Sequence, residues 1–234
     1  MAMRVVELAT EASVGAVVLA EYDARHAHRL ARDAPSLPEE ERALAEGIRS
    51  AQRRTGFLAG RLALHAALAS SADAAHAAKP VLRDARGRPL PSWDSPAPLS
   101  IAHSRIRAVA AVAPRGVCAA IGVDVEEIDE HRAHALVRMS LAADEVERVR
   151  ANDAALLAGP IALWCAREAC VKAHALEVGW FGTALVATRF EDAPPPFAEA
   201  ERGWRVEIAL ESRAPMLAEA WQSRGAVFAI AVSA

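Results

Sequence analysis

Six consecutive residues, Ile121-Gly122-Val123-Asp124-Val125-Glu126, narrow the choice of fold more than any other stretch of the chain. Acid and valine alternate there with the period of a half-buried strand. Side chains at i and i+2 share a face, so Asp124 and Glu126 look one way while Val123 and Val125 look into a core. Roughly forty residues further on, Trp164-Cys165-Ala166-Arg167-Glu168-Ala169-Cys170-Val171-Lys172 reads instead as a helix, with Glu168 and Lys172 four apart on one face. The fold must therefore mix strands with helices. Three carboxylates and an ammonium, if brought together, suit the task of holding a divalent metal on a polyphosphate.

The same mixture extends along the chain. Residues 4–20 contain two short apolar runs of strand character. Ser36 is placed to cap a helix whose first turn holds Glu39, Glu40 and Glu41. A strong helical pattern covers 52–70, and Asp84-Ala85-Arg86-Gly87-Arg88-Pro89 has turn chemistry. A proline-rich loop over 89–98 leads into a strand ending at Leu99-Ser100-Ile101-Ala102-His103-Ser104, and Val109–Val112 is another short strand. Pro114-Arg115-Gly116 makes a turn before the Asp124 strand. In the second half, Ser140 is expected to cap a helix reaching Arg150, and Pro160 opens a helix to about Leu176. Strands follow near 184–190, 204–210 and 226–232. Phe57-x-x-x-Arg61-x-x-x-His65 parallels Trp164-x-x-x-Glu168-x-x-x-Lys172, and Ala108–Ala113 parallels Ala226–Ala231. An internal duplication and the coincidence of an alanine-rich sequence both account for these matches. The pattern predicts an α+β fold with two similar lobes, bounded at 1–115 and 116–234.

Composition excludes several classes. At 234 residues, 53% hydrophobic and 24% charged, the chain has the makeup of a globular protein with a real core. A net charge of −3 gives no overall attraction to nucleic acid or acidic membranes, so phosphate binding would need local basic geometry. Three cysteines, two of them inside one helix, argue against a disulfide framework and for a reducing compartment. The start lacks a secretory apolar core, and no stretch approaches a membrane span, so a cytoplasmic protein is expected. Cations are almost all arginine, 25 of them, with lysine only at Lys79 and Lys172.

Each candidate has a bland reading. A D-x-E pair is commonly a solvated strand face, and Glu168–Lys172 could be a helical ion pair worth a few tenths of a kcal/mol. His103 could be structural, and the arginines around 53–61 and 83–88 could serve solubility alone. The order of the pieces weighs against the bland readings. His103-Ser104, then I-G-V-D-V-E, then W-C-x-R-E-A-x-x-K resembles the Sfp-type 4′-phosphopantetheinyl transferases, whose signature is a G-(I/V)-D-x-E strand followed by W-(S/T/C)-x-K-E-(S/A)-x-x-K. Arg53-Arg54-Thr55-Gly56-Phe57-Leu58-Ala59-Gly60-Arg61 is similar to that family's F-x-x-G-R helix, Gly87-Arg88-Pro89 to its G-K-P turn, and Ser100–Ser104 to its S-H-S segment.

The resemblance implies two α/β lobes related by pseudo-twofold symmetry with coenzyme A in the cleft between them. It also implies transfer of the 4′-phosphopantetheine arm to a serine of an apo acyl, polyketide or peptidyl carrier protein, releasing 3′,5′-ADP. By position, Asp124, Glu126 and Glu168 would bind Mg²⁺, with Asp124, Glu168 and Lys172 catalytic and Glu168 the candidate base. Lys172 and His103 would contact phosphate. Arg86, Gly87, Arg88 and Pro89 would lie along the nucleotide, with Arg61 in the same cofactor set and Arg53 or Arg54 at the 3′-phosphate. A monomer without nucleic-acid or membrane partners is expected. Three positions depart from the pattern: Arg167 replaces a lysine, Ala102 stands where serine often precedes the histidine, and Glu39–Glu41 replace basic residues. Arg167→Lys is expected to be nearly neutral. A coenzyme A or carrier-binding homologue without catalysis, and an Mg²⁺-dependent phosphohydrolase, are the competing readings.

Overall fold

The computed structural model describes residues 3–9, 16–23, 27–94, 96–176, 185–210 and 214–233. The expected residues 10–15, 184 and 95 of the strand and loop regions lie outside these. The chain divides into two compact units, Met1–Ala119 and Ala120–Ala234. All described strand pairs are antiparallel, and helices accompany both larger sheets, giving the α+β class expected. Among the described residues no helix is long and apolar enough to cross a membrane.

In the first unit, β1 (Met3–Ala9), β2 (Ala16–Asp23), β5 (Leu99–His103) and β6 (Arg107–Val112) form a sheet in the order β1-β2-β6-β5. Two short strands, β3 (Val81–Arg83) and β4 (Pro89–Pro91), make a separate hairpin around the expected turn at 84–89, with β4 in what reads as the start of a proline-rich loop. Helices α1 (Ala27–Asp33) and α2 (Glu39–Glu46) precede the long α3 (Ala51–Ala69). Ser36 does not cap α2. Its hydroxyl donates to the Asp33 carbonyl, and Pro38 takes the cap position, where a fixed φ suits the helix entry. Ser50 caps α3, accepting from the Arg53 N–H at 3.3 Å. The apolar side of α3 packs Leu62, Leu64 and Leu68 with Val18, Ala110 and Val112 of the sheet. Close approach is possible because the helix carries glycine where it crosses β5. A Cβ on Gly60 would lie 2.8 Å from Ile101, and one on Gly56 would lie 2.7 Å from the His103 ring.

In the second unit, β7 (Ala120–Glu127), β8 (Leu185–Ala193), β9 (Arg202–Leu210), β10 (Met216–Ser223) and β11 (Ala226–Ser233) form a sheet in the order β7-β11-β10-β9-β8. Helices α4 (Glu130–Met139), α5 (Ala143–Asn152) and α6 (Ala158–Ala173) lie between β7 and β8 in the chain. Ser140 is not the cap of α5: it ends α4, and the Glu145 carboxylate accepts from the Ala142 N–H to open α5. β10 has no counterpart among the expected strands, since Met216-Leu217-Ala218-Glu219-Ala220 is made of good helix formers. Its central place in the sheet overrides that propensity.

Candidate active site

The first surprise is which face of β7 carries the acids. In register, Asp124 pairs with Ala229 and Glu126 with Val227, and those alanine and valine partners belong to the core beneath α6. The acids thus sit on the face that α6 covers, not on an open one. Val123 and Val125, 0% and 1% exposed, are buried on the opposite face. Gly122 makes this possible. A Cβ there would lie 1.9 Å from the Ala169 carbonyl oxygen, so only glycine lets β7 and α6 lie this close.

Helical spacing then aligns Trp164, Glu168 and Lys172 along α6. The Lys172 ammonium donates to Asp124 Oδ1 at 2.8 Å and to the Val123 carbonyl at 2.9 Å. The bland expectation of a Glu168–Lys172 ion pair is therefore not the bond observed; lysine crosses to the strand. Burial opposes the ammonium of Lys172, but Asp124, hydrogen-bonded to it, and Glu168 outweigh burial and hold the proton more tightly than usual. Burial, then the Asp124 charge, pushes Glu126 up to about 7. The same two causes, in the same order, raise Glu168. Cys165, fully buried, lies against Asp124, and its thiol is raised well above its ordinary value by burial first and then by the Asp124 and Glu126 charges. It is no nucleophile.

Sequence reasoning missed Arg132. It leaves α4 to meet Glu126 Oε1 at 3.3 Å, and its guanidinium stands 5.1 Å over the Trp164 ring. The available signal was a basic residue shortly after the acidic strand, but helix α4 itself was not expected.

The donor set fits a hard divalent cation: oxygen ligands only, with two of the three carboxylates raised by burial first and then by the charge of Asp124. It does not close into a ligand cluster, however. Among the described residues no three His, Cys, Asp or Glu side chains come together as a metal site. Asp124 gives an oxygen to Lys172 and Glu126 one to Arg132. The expected triad Asp124, Glu126 and Glu168 is thus gathered electrostatically rather than as a preformed cage.

Arg167 belongs to another place. It is 1% exposed and donates to the Ser140 carbonyl at 2.9 Å and to the buried Glu145 carboxylate. Its guanidinium fork spans those two acceptors away from the carboxylates of β7 in sequence, on residues between α4 and α5 and within α5.

In the first unit the basic residues separate into two groups. Arg53 and Arg54 stand in the first turn of α3, where the helix dipole favours an anion, and His103 closes on the same helix at Gly56. Arg83 joins them: its guanidinium lies 4.4 Å over Phe57, and burial, then the charge of Arg53, lowers its pKa. Arg88 is bound through Nε to Asp84 at 2.7 Å, and Gly87 supplies the φ of +80° that the turn needs. Arg61 is the exception. At 2% exposure, with NH2 on the Leu82 carbonyl at 3.1 Å, it is a core residue, lowered to about 10 chiefly by burial, and not an open phosphate ligand. Ala102 is also buried, at 5%, on the strand face away from α3, so a hydroxyl there would not face the helix that His103 meets.

Residues 120–224 match the family model described as the 4′-phosphopantetheinyl transferase superfamily. The match takes in Asp124, Glu126, Arg132, Glu168 and Lys172 together with the close pairing of β7 and α6. No curated protein matches the chain.

Proposed function

We propose that this chain, which carries a 4′-phosphopantetheinyl transferase superfamily domain over residues 120–224, moves the 4′-phosphopantetheine arm of coenzyme A onto a serine of an acyl, polyketide or peptidyl carrier protein. The observation that carries this reading is the Lys172–Asp124 pair, set by Gly122 beside Glu168 and Glu126. The serine oxygen attacks the β-phosphorus, the bond to the adenylate phosphate breaks, and 3′,5′-ADP leaves. Lys172, a compact ammonium fixed by the Val123 carbonyl, is suited to face pyrophosphate oxygens. Glu168, raised by burial and by Asp124, is suited to take the serine proton. Asp124, Glu126 and Glu168 would hold Mg²⁺, which when bound screens the pyrophosphate charge. Arg53, Arg54, Arg83 and His103 are suited to the 3′-phosphate, and Gly87-Arg88-Pro89 to the nucleotide.

The test is intact-mass analysis of a panel of apo carrier proteins with coenzyme A and Mg²⁺. A carrier gaining one phosphopantetheine, with the gain lost on chelation, is the expected result. Free phosphopantetheine with no carrier gain would identify a hydrolase. Coenzyme A binding without either product would identify a binding homologue.

A further inference from the structure

We infer that Glu41, His65 and Arg61 are positioning residues that hang the β3–β4 hairpin in place for the nucleotide end of coenzyme A. The inference rests on the transferase reading above. Glu41 is wholly buried, at 0% exposure, although it belongs to an acidic helix start whose Glu39 and Glu40 remain exposed. Its Oε1 accepts from the Val81 N–H at 2.7 Å, and its two oxygens lie 3.0 and 2.9 Å from His65 Nε2. His65 Nδ1 reaches the Ala77 carbonyl at 2.7 Å. A carbonyl can only accept, so Nδ1 is the donor there. Four residues earlier on α3, Arg61 donates to the Leu82 carbonyl. Ala77, Val81 and Leu82 are thereby tied to α2 and α3 from three side chains.

What those ties hold is the turn. Val81 pairs with Pro91 and Arg83 with Pro89, and the turn between them is closed by Asp84, which accepts from the Arg86 and Arg88 N–H groups at 2.9 Å each. A two-stranded hairpin is marginal by itself, so its placement must come from elsewhere, and the buried glutamate supplies it. The second unit uses the same device. Glu145, 1% exposed, accepts from Arg167 of α6 and from the Ala187 N–H of β8 at 2.6 Å. In both units a buried glutamate links the long helix to a strand. Glu41 is therefore a strand anchor, and the acidic run at 39–41 is not simply a lost phosphate-binding segment.

The test compares Glu41→Ala with Glu41→Gln. Glutamine can accept from the Val81 N–H while its amide donates to His65 Nε2, leaving Nδ1 as donor to Ala77. Glu41→Ala should raise the KM for coenzyme A about tenfold, leave the KM for the carrier unchanged, and speed amide exchange over residues 81–91. Glu41→Gln should restore all three toward wild type. Should Glu41→Ala not fold, Arg61→Met removes the tie to Leu82 alone and should give the same split in KM. Glu41→Ala with wild-type exchange and wild-type KM, or Glu41→Gln no better than Glu41→Ala, overturns the inference. A wild-type protein that binds no coenzyme A overturns the transferase reading and the nucleotide role with it, while exchange over 81–91 still decides whether Glu41 anchors the hairpin.

Discussion

At residue scale, the two cationic positions of α6 are held by different neighbours, Lys172 by Asp124 of β7 and Arg167 by Ser140 and Glu145. Lys172 lies between a carboxylate and a carbonyl, each within 2.9 Å of its compact ammonium. Lys172→Arg keeps the charge but brings a broad fork against β7, and kcat/KM should fall by about a hundredfold, on the order of an electrostatic clamp removed. Turnover equal to wild type would reduce Lys172 to a counter-ion of Asp124. Arg167→Lys, by contrast, should leave the chemistry alone and cost stability, about 2 kcal/mol for a charged hydrogen bond lost in the core, read as a lower Tm. A third residue gives a pH signature. The Glu126 carboxyl titrates at about 7 in the folded protein against 4.5 ordinarily. Between those values the native state holds the extra proton, so the contribution of Glu126 to stability falls as pH rises. The Tm of wild type minus that of Glu126→Gln should decline from pH 5 to 8. A constant difference would mean that burial and Asp124 do not press on this group.

At element scale, the decisive object is the contact of β7 with α6. The alternation of Ile121–Glu126 and the helical spacing of Trp164, Glu168 and Lys172 were both legible, because period 2 and period 3.6 are written by the residues themselves. Their mutual approach was not. Nothing in the sequence near Gly122 says that an α6 carbonyl will occupy the space of its missing side chain, since that depends on tertiary packing. The same gap explains Arg132 and Arg61: no sequence signal announces the α4 helix that carries the first, and the burial that takes the second out of the cofactor set is not written in an F-x-x-G-R pattern. Gly122→Ala tests the contact directly. Its methyl would collide with the Ala169 backbone, which cannot rotate aside as a side chain could. We expect a loss of about 3 kcal/mol, at the upper end of overpacking, with transfer activity lost even in the fraction that remains folded. Activity retained at full rate would show that the spacing of strand and helix is not critical.

At the scale of the whole molecule, the mixed class of the fold followed from the alternation of strand and helix signals, whereas β10 and the β3–β4 hairpin did not. Met216–Ser223 is helix-favouring sequence enlisted into the middle of a sheet, and Pro89–Pro91 is a strand only because its partner is held from α2 and α3. Such elements owe their conformation to neighbours distant in the chain. The rarity of lysine is the one global property that bears on the site itself. With arginine inert to acylating reagents, only two side-chain amines in the molecule can be labelled, at Lys79 and Lys172. Lys79 is exposed, whereas the lone pair of Lys172 is locked up by the proton shared with Asp124. The chain is thus its own two-channel reporter: mass spectrometry after brief acetylation should find Lys79 modified and Lys172 spared, and Asp124→Asn should bring the second channel up to the first.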